Sequence, residues 1–397
     1  MYPAAMSTYS KSFALHKGPQ PLQTGQHLRF GKPISRSLNS GKMQQHVYTK
    51  AASEHTVITI GEALYDCLAD QLGKSKEDVT SWTPYPGGAP ANVATGIARL
   101  GLHTVFLTAL GHDDLGEKFI KLLQDRNVDT KYVQRNSHPT RDVLVTRSLD
   151  GDRTFAGFGA AKTTEYADCF VDASKLPTDV IASADVLVTG TLGLAYPGSA
   201  EAIRSAVSAA KSSASPQQKN CSVIIDVNWR PVFWKDLEKA REIVKDFVPL
   251  ADILKVTDEE AEWLFDIPAE QALQHPEKVL NAVSDARGVL VSAGEKGSAY
   301  AFRSPGGKMD ISGIVPVLDV KVADTTGAGD AYLSGFIMYM LLSGGVLELV
   351  ADPEKVHRAV QFATACGAAT CTKPGAIDSQ PTVKEAEALL QAAGWNK

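Results

Sequence analysis

A glycine-rich turn that ends in an acidic residue is the part of this chain best suited to chemistry. The run DTTGAGD occupies residues 324–330 and precedes an apolar stretch, residues 331–342. Such a turn at a helix start presents unpaired backbone N–H groups and the positive end of the helix dipole, which together bind a phosphate. Because a carboxylate beside an anion site is electrostatically costly, we interpret Asp330 as a candidate general base for phosphoryl transfer. On this segment alone, a loop in which Asp330 only caps the helix is an equal alternative.

The residues that follow the turn exclude two better-known nucleotide motifs. A dinucleotide-binding G-x-G-x-x-G run that starts at Gly327 requires glycine at position 332, which is Tyr332. A Walker A loop requires Gly-Lys-Ser or Gly-Lys-Thr after the turn, and neither follows it. The turn is therefore interpreted as an anion site of another type.

Motifs in several other parts of the chain place this turn in a family context. Residues 324–330 resemble the C-terminal signature of the ribokinase-like (PfkB) carbohydrate kinases, and residues 87–94 (GGAPANVA) resemble their N-terminal signature in the form typical of fructokinases. Further runs that resemble family motifs, in family order, are 61–66, 111–116, 226–230, 258–260, 294–297 and 373–376. The resemblance covers about residues 55–395, and the chain is identified as a member of this family.

The resemblance implies both a fold and a reaction. The implied fold is α/β: a ribokinase-like three-layer α/β/α sandwich with a mostly parallel central sheet and a small β lid. The implied reaction is MgATP-dependent transfer of the γ-phosphate to a hydroxyl of a small sugar, with fructose or a related ketose favoured. Mg²⁺ is the implied cofactor and ATP the co-substrate, K⁺ is a further expectation, and the lid suggests a homodimer.

The resemblance also assigns roles to positions on the sugar side of the site. Asp330 would take the hydroxyl proton, and the anion hole would be formed by backbone N–H groups of Gly327, Ala328 and Gly329. The sugar would be held by Asp66, Gly87, Gly88 and Asn92. These types fit, because a carboxylate accepts from two hydroxyls, an amide both donates and accepts, and a glycine pair lets a ligand approach the backbone. The structural alternative is that Asp66 and Asn92 cap a turn or a helix.

Other positions are implied to lie near the nucleotide and the ions. Those assigned to ATP and its phosphates are Asn228, Arg230, Thr257, Gly294, Gly297, Thr364 and Gly375. Glu260 would bind Mg²⁺ through water, since Mg²⁺ keeps several waters and needs few carboxylates. The oxygen ligands of a monovalent cation would come from Asp324, Thr326, Gly375 and Ser379. The structural alternatives are a surface ion pair for Arg230 and a first-turn acid for Glu260.

One segment departs from the fructokinase pattern and bears on the substrate. Plant-type fructokinases carry a Phe-Met-Phe-Tyr-Arg type of run on the lid hairpin, whereas this chain has FAGFGAAK at residues 155–162, with Gly159 in place of the arginine. The alternatives are therefore a kinase of 2-keto-3-deoxygluconate or another sugar or sugar acid, and a non-catalytic fructokinase-like plastid scaffold. The complete set of glycines and acids favours the enzyme. Thr364 stands where many members have asparagine.

Short apolar runs separated by helical stretches must position these residues. Runs such as Val57–Ile60 and Val223–Asp226 alternate with helical patterns, which predicts a parallel sheet covered on both faces. Two stretches lie outside this alternation and are expected to form the lid. Residues 68–86 are predicted as a polar loop, and residues 143–160 as a hairpin around Asp150 and Gly151.

Composition narrows the remaining classes. The chain has 397 residues, a net charge of −5 and no long basic block, which argues against nucleic-acid binding. No run approaches the 18 or so apolar residues of a membrane span. The five cysteines contain no C-x-x-C pair, which is typical of a reducing compartment, and a redox switch between Cys366 and Cys371 is disfavoured by their spacing.

The first 53 residues differ from the rest. They contain no Asp or Glu, since the first acid is Glu54, and they are rich in Ser, Thr, Gln, Gly and Pro with seven Lys or Arg. We interpret residues 1–53 as a transit peptide or a disordered extension and residues 54–397 as the kinase domain. A plastid is the favoured destination, and the mitochondrion and the cytoplasm are the alternatives.

Overall fold

The computed structural model of the protein describes residues 54–149, 153–160, 162–212, 221–306 and 310–395. The predicted extension, residues 1–53, lies outside the described residues, and so does the predicted hairpin turn at Asp150 and Gly151. No helix in the described ranges is both long enough and apolar enough to cross a bilayer.

Fourteen strands in the described part of the chain form one large sheet, one small sheet and a short ribbon. In chain order they are β1 Thr56–Ile60, β2 Leu64–Ala69, β3 Trp82–Gly87, β4 His103–Leu107, β5 Ala109–Gly111, β6 Gln134–Asn136, β7 Arg141–Arg147, β8 Arg153–Phe158, β9 Val186–Thr189, β10 Ser222–Asp226, β11 Ile253–Thr257, β12 Gly288–Ser292, β13 Ser298–Arg303 and β14 Asp310–Val315. The large sheet has the order β14-β13-β12-β11-β10-β9-β1-β4.

Twelve α-helices of the described residues accompany these strands. They are α1 Ala89–Arg99, α2 Asp114–Asp125, α3 Thr178–Ser183, α4 Pro197–Lys211, α5 Leu237–Phe247, α6 Asp258–Phe265, α7 Ala269–Gln274, α8 Pro276–Ala282, α9 Ala328–Leu342, α10 Val346–Val350, α11 Pro353–Thr370 and α12 Val383–Ala392. Helices α3–α8 pack on one face of the large sheet, and α1 with α9–α12 pack on the other. The predicted three-layer α/β/α sandwich is therefore confirmed.

The large sheet is mostly parallel, as predicted. Strands β4, β1, β9, β10, β11 and β12 pair in parallel, and β13 and β14 extend this sheet as an antiparallel edge. The central runs are apolar because both faces are covered by helices. Parallel strands end at the same edge, so the loops that follow β1, β10 and β11 open on one side of the sheet, where α/β folds bind ligands.

The lid is a four-stranded sheet with the order β3-β2-β7-β8. Strand β7 pairs parallel to β2, and β8 pairs antiparallel to β7. The expectation of a loop over residues 68–86 is wrong at its C-terminal end, where β3 pairs antiparallel with β2. Pro84 and Pro86 disguise this strand in the sequence, and they are tolerated because β3 lies at the edge of the lid, where some N–H groups need no partner.

Candidate active site

Two helix N-termini meet where the sequence predicted the base. The Asn92 amide, in the first turn of α1, donates from Nδ2 to Oδ2 of Asp330, in the first turn of α9, at 2.8 Å. Both residues are largely enclosed, and the Asn92 Oδ1 atom is buried without a partner among the described residues. A predicted sugar-binding residue and the predicted base thus form one hydrogen-bonded unit, with an acceptor left open for a ligand.

Glycines shape the turns before both helices. Gly327 precedes α9 with φ 78°, and a Cβ there would lie 2.8 Å from Cβ of Ala376. Gly88 precedes α1 with φ 100°, and a Cβ there would lie 2.6 Å from the Glu62 carbonyl oxygen. Because a left-handed φ and a close contact coincide at each position, no other residue type fits without backbone movement.

The turn before α9 leaves donors available for an anion. The first i→i−4 hydrogen bond of the helix runs from the Ala331 N–H to the Gly327 carbonyl at 2.9 Å, so the preceding N–H groups are not used by that ladder. The Ala328 N–H donates to the Thr325 carbonyl at 3.2 Å within the turn. Of the predicted anion hole, Ala328 is thus partly engaged, while Gly329 lies in the exposed first turn as expected.

Burial sets the protonation behaviour of Asp330. Desolvation raises the pKa of Asp330 to about 6; the Asp226 charge also acts upward, whereas the Asn92 hydrogen bond and the charges of Lys255 and Arg230 act downward. A pKa just below neutrality suits a general base at physiological pH, because the group is ionised yet still accepts a proton.

The predicted sugar-binding carboxylate, Asp66, lies on β2 of the lid. Gly87 is the last residue of the neighbouring strand β3, and a Cβ built on it would lie 3.5 Å from Oδ2 of Asp66. Asp66 and Gly87, both predicted to bind the sugar, are therefore adjacent. Burial raises the pKa of Asp66 to about 6, while the positive charges of Arg153 and Arg230 favour its ionised form. The cationic side chains of a lid strand and of the loop after β10 therefore both act on this carboxylate.

Glu260 holds the loop after β10 in place through a hydrogen bond to its backbone. Its Oε1 accepts the Trp229 N–H at 2.7 Å, and its Oε2 accepts the Thr257 N–H at 2.8 Å as part of a capping box at the start of α6. Burial raises the pKa of Glu260. Asn228 takes a left-handed φ of 42°, and Arg230 is exposed.

Glu260 fits a role in holding Mg²⁺ only through water. Both of its oxygens already accept a backbone N–H, yet each keeps a second lone pair that a metal-bound water can use. Within the part of the chain that the structure describes, no three His, Cys, Asp or Glu groups converge as a metal cluster. A Mg²⁺ ion bound mainly by phosphates and water needs no such cluster.

The predicted nucleotide-border residues lie in different environments. Gly294 has φ 53° and open space around it, whereas a Cβ on Gly297 would lie 2.5 Å from the Val315 carbonyl oxygen. Thr364 is buried in α11 and donates its hydroxyl proton to the Val360 carbonyl at 2.9 Å. Gly297 therefore has a packing reason to be glycine, and Thr364 can offer a ligand only an acceptor.

The oxygens assigned to a monovalent cation are already occupied. Asp324 Oδ2 accepts from Arg153 Nη2 and from the Gly375 N–H, each at 3.1 Å, and Arg153 Nη1 donates to the Thr326 hydroxyl at 3.1 Å. The Ser379 hydroxyl donates to the Gly375 carbonyl. The guanidinium supplies the positive charge that a cation would supply, so these side chains do not fit K⁺ while Arg153 is bound.

Comparison with known protein families accounts for this geometry. A family model described as pfkB family carbohydrate kinase matches residues 54–383. The chain belongs to this family. The PfkB kinase described here is therefore an ATP-dependent carbohydrate kinase, which confirms the family and the reaction class predicted from the motifs.

Individual relatives of this PfkB kinase are fructokinases. It is 35% identical over 348 residues to "Probable fructokinase-6, chloroplastic" of Arabidopsis thaliana, which covers 85% of this chain and 83% of that protein. It is 32% identical to fructokinase-1 of Oryza sativa subsp. japonica, over 86% of this chain and all of that protein.

A fructokinase of known structure gives the same result for the fold. The structure of the Xylella fastidiosa enzyme with bound ATP aligns with a TM-score of 0.71 at 26% identity, over 85% of this chain and 99% of that one. The Vibrio cholerae fructokinase with fructose, ADP and calcium aligns with a TM-score of 0.68 at 27% identity, over 86% of this chain and 99% of that one.

Gly159, where the lid hairpin of the PfkB kinase departs from the fructokinase pattern, lies against the Asp142 side chain. A Cβ on Gly159 would lie 2.0 Å from Oδ2 of Asp142, so an arginine at this position requires the Asp142 side chain to move. Phe158 instead packs against Phe155 and Phe233. A cation reaches the site from another position of the same hairpin, Arg153, which the sequence analysis did not single out.

A second residue missed from the sequence is Lys255 on β11. Its Nζ donates to both oxygens of Asp226 on β10, at 2.9 and 2.8 Å, and both side chains are buried. The sequence does contain a signal for Lys255, because it is the single charged residue in the otherwise apolar run ILKVT. Burying a charge in such a strand is costly unless the charge is paired.

Proposed function

We propose that this kinase transfers the γ-phosphate of ATP to a hydroxyl of fructose or a closely related ketose. The observation that carries the proposal is the buried Asp330, held by Asn92 at the open N-terminus of α9 with its pKa raised to about 6. The names of the relatives support fructose as the acceptor.

On the sugar side, the lid and α1 bind and orient the acceptor. Asp66 accepts hydrogen bonds from two sugar hydroxyls, and the unpartnered Oδ1 of Asn92 accepts another. Gly87 and Gly88 allow the sugar to approach the backbone. Asp330 Oδ1 then takes the proton of the attacking hydroxyl, while its Oδ2 stays on Asn92.

On the nucleotide side, Gly327, Ala328 and Gly329 form the anion hole for the transferred phosphoryl group, with Ala328 exchanging its turn hydrogen bond for the anion. Asn228, Arg230 and Thr257 line the phosphates, and Gly294, Gly297, Thr364 and Gly375 border the nucleotide. Glu260 would hold Mg²⁺ through water, and the ion would supply positive charge to the phosphates when bound. K⁺ has no part in the proposed reaction, because Arg153 donates to the Asp324 and Thr326 oxygens.

A neutral sugar fits this lid better than a sugar acid. An acid substrate needs a free cation near the sugar. The position of the family arginine is Gly159, and the donors of Arg153 are directed at Asp324 and Thr326. Arg230, whose charge also acts on Asp66, is assigned to the phosphates in this proposal. We therefore place 2-keto-3-deoxygluconate below fructose as the acceptor.

The test is ADP release by residues 54–397 with MgATP and a panel of fructose, other ketoses, aldoses, sugar acids and nucleosides. We expect turnover with fructose, and a loss of about 10²-fold or more in Asp330→Asn with ATP binding retained. Asp246→Asn removes an exposed carboxylate and is the matched control, with unchanged turnover expected. Turnover of a sugar acid but not of fructose would overturn the substrate, and a fully active Asp330→Asn would overturn the base.

We further propose that residues 1–53 direct the kinase to a plastid and that residues 54–397 are the mature domain. The acid-free, Ser-rich composition supports this, as does the chloroplastic label of the Arabidopsis relative. Fusion of residues 1–53 to a fluorescent protein should carry it into chloroplasts, and a cytoplasmic signal would contradict the proposal.

A further inference from the structure

The buried ion pair between Lys255 and Asp226 lies at the carboxyl edge of the large sheet. The two residues are register partners of the parallel strands β10 and β11, so both side chains emerge at the same level. Their neighbours on the same strands, Ile225 and Leu254, belong to the apolar core. An ammonium and a carboxylate in such surroundings cost desolvation free energy that an apolar pair of the same volume does not.

The ammonium lies directly beneath the glycine-rich turn. A Cβ built on Gly329 would be 3.5 Å from Nζ of Lys255. Gly329 is in the first turn of α9, whose unpaired N–H groups face the position of the transferred phosphoryl group. The helix terminus and the lysine therefore present positive charge to the same volume from adjacent positions.

The charge of Lys255 also reaches the acids around this volume. Burial raises the pKa values of Asp330 and Glu260, and the positive charge of Lys255 opposes this rise at both. Burial acts to lower the pKa of Lys255, but the charges of Asp226, Glu260 and Asp330 outweigh burial and raise it, so the ammonium stays protonated. Asp226 thus holds a permanent positive charge in a place that water does not screen.

We propose that the Lys255–Asp226 pair is an electrostatic part of the anion hole. Lys255 supplies a fixed positive charge beneath Gly329 that stabilises the negative charge on the phosphoryl group during transfer, and Asp226 positions it. This rests on the proposed function. Because the charge is fixed before substrates bind, it costs no reorganisation during the reaction. Lys255 acts across the turn, without touching the phosphoryl group, and is a positioning residue.

The test uses a neutral pair, because Lys255→Met alone would leave a buried unpaired carboxylate and destabilise the fold. Lys255→Met with Asp226→Asn removes both charges at similar volume. Replacing a buried ion pair in this way is often neutral for stability, and thermal unfolding checks that the variant is folded. Arg241→Met with Asp266→Asn, an ion pair on the outer helices, is the matched control.

The first readout is the affinity for MgADP with aluminium fluoride, a mimic of the transferred phosphoryl group, relative to MgADP alone. Intrinsic tryptophan fluorescence, to which Trp229 between Asn228 and Arg230 contributes, reports binding. In the neutral pair, we expect the ratio of these two affinities to fall by about 10-fold or more. Its affinity for MgADP alone should stay within threefold of wild type. The control pair should keep the wild-type ratio.

The second readout is turnover, where we expect kcat to fall by about 10²-fold, the usual scale for one group of an oxyanion hole, with KM for the sugar little changed. Lys255→Arg should restore part of the binding preference. A folded neutral pair with a wild-type ratio would overturn the inference and leave the pair a structural element. The binding ratio needs no sugar, so failure of the proposed sugar shows separately, as absent turnover in the wild type.

Discussion

Asp330 combines two properties that oppose each other in a folded protein. The proposed role of base requires its ionised form, but Asp330 is largely enclosed, and desolvation raises its pKa to about 6. A buried ionised carboxylate lowers the free energy of unfolding, because the unfolded chain holds the same charge in water. The site therefore destabilises the folded state, and interactions elsewhere in the fold must offset this contribution.

This leads to a prediction for the stability of Asp330→Asn. A raised native pKa favours folding below the unfolded pKa near 4 and loses that contribution as the pH rises through about 6. An asparagine at position 330 does not ionise, so the variant keeps its stability as the pH rises. Its melting temperature should therefore exceed that of wild type at pH 8. The excess should shrink toward pH 4. Calorimetry of both proteins across this range checks the sign, and a variant less stable at pH 8 would contradict it.

The pH dependence of catalysis follows from the same values. Both Asp330 and Asp66 have a pKa raised to about 6, and the proposed roles of base and sugar ligand require their ionised forms. We expect log kcat/KM to fall below about pH 6, with a slope that exceeds one because two groups protonate. The residual activity of Asp66→Asn should show a slope near one. A profile flat down to pH 5 would mean that neither carboxylate is required in its charged form.

At the scale of elements, the lid hairpin is connected to the anion-hole loop by Arg153. Strand β8 carries this residue to Asp324 and Thr326, which precede α9. The contact joins the part of the molecule that covers the sugar to the part that binds phosphate. In the proposed function, this contact would hold the lid over the reacting atoms and exclude water from them.

We predict that Arg153→Gln weakens sugar binding. Loss of two charge-assisted hydrogen bonds at a partly exposed position should cost about 1 kcal/mol, which is about a fivefold rise in KM for the sugar. Arg147→Gln is the control, since the Arg147 guanidinium donates to the Ala69 carbonyl within the lid. Steady-state kinetics of both variants decide this, and equal effects would show that the lid responds to any lost arginine.

A second arginine anchors the base of the lid. Arg141, the first residue of β7, is fully buried; it forms a two-pronged ion pair with Asp168 at 2.7 and 2.8 Å and lies over the rings of Tyr166 and Tyr196. Arg141→Met leaves the Asp168 charge buried, so we expect the free energy of unfolding to fall by about 3–5 kcal/mol. The double variant with Asp168→Asn should recover most of it. Urea titrations measure both, and a loss below about 1 kcal/mol would be inconsistent with this role.

The elements differ in how well the sequence predicts them. Helix α9 begins in the predicted glycine-rich turn and continues through the predicted apolar stretch to Leu342, because a glycine turn and an apolar run are local signals. Strand β3 is hidden by two prolines, and the sequence analysis does not predict β13 and β14, which have six residues each. The Asn92–Asp330 unit follows from the two signatures, whereas Arg153 and Lys255 act through partners far away in sequence, for which one sequence carries no spacing signal.

At the scale of the whole molecule, the lid presents apolar side chains to solvent. Leu72, Tyr85 and Leu149 are 43%, 47% and 78% exposed, and all three belong to the lid sheet or its connecting loops. Exposed apolar groups in one region of the surface are typical of an interaction surface. They agree with the homodimer through the lid that the family resemblance suggests.

We predict that the kinase is a dimer in solution and that Tyr85→Glu with Leu149→Glu shifts it toward the monomer. Two buried charges at such an interface are unfavourable, so the dissociation constant should rise by about 10-fold or more. Light scattering coupled to size exclusion measures the mass. Leu237→Glu, a 49% exposed leucine on α5 outside the lid, is the control. A monomeric wild type at micromolar concentration would contradict the prediction.

The hydrogen bond between Asn92 and Asp330 joins residues 238 positions apart. During synthesis at roughly 5–20 residues per second, the first partner waits on the order of 10 to 50 seconds for the second. In that interval the inner face of α1 has no α9 to cover it, and contacts of such long sequence separation form slowly. We therefore expect the nascent chain to bind chaperones through this uncovered face. The proposed phosphoryl transfer cannot begin on the ribosome until Asp330, which lies in the final quarter of the polypeptide, has emerged.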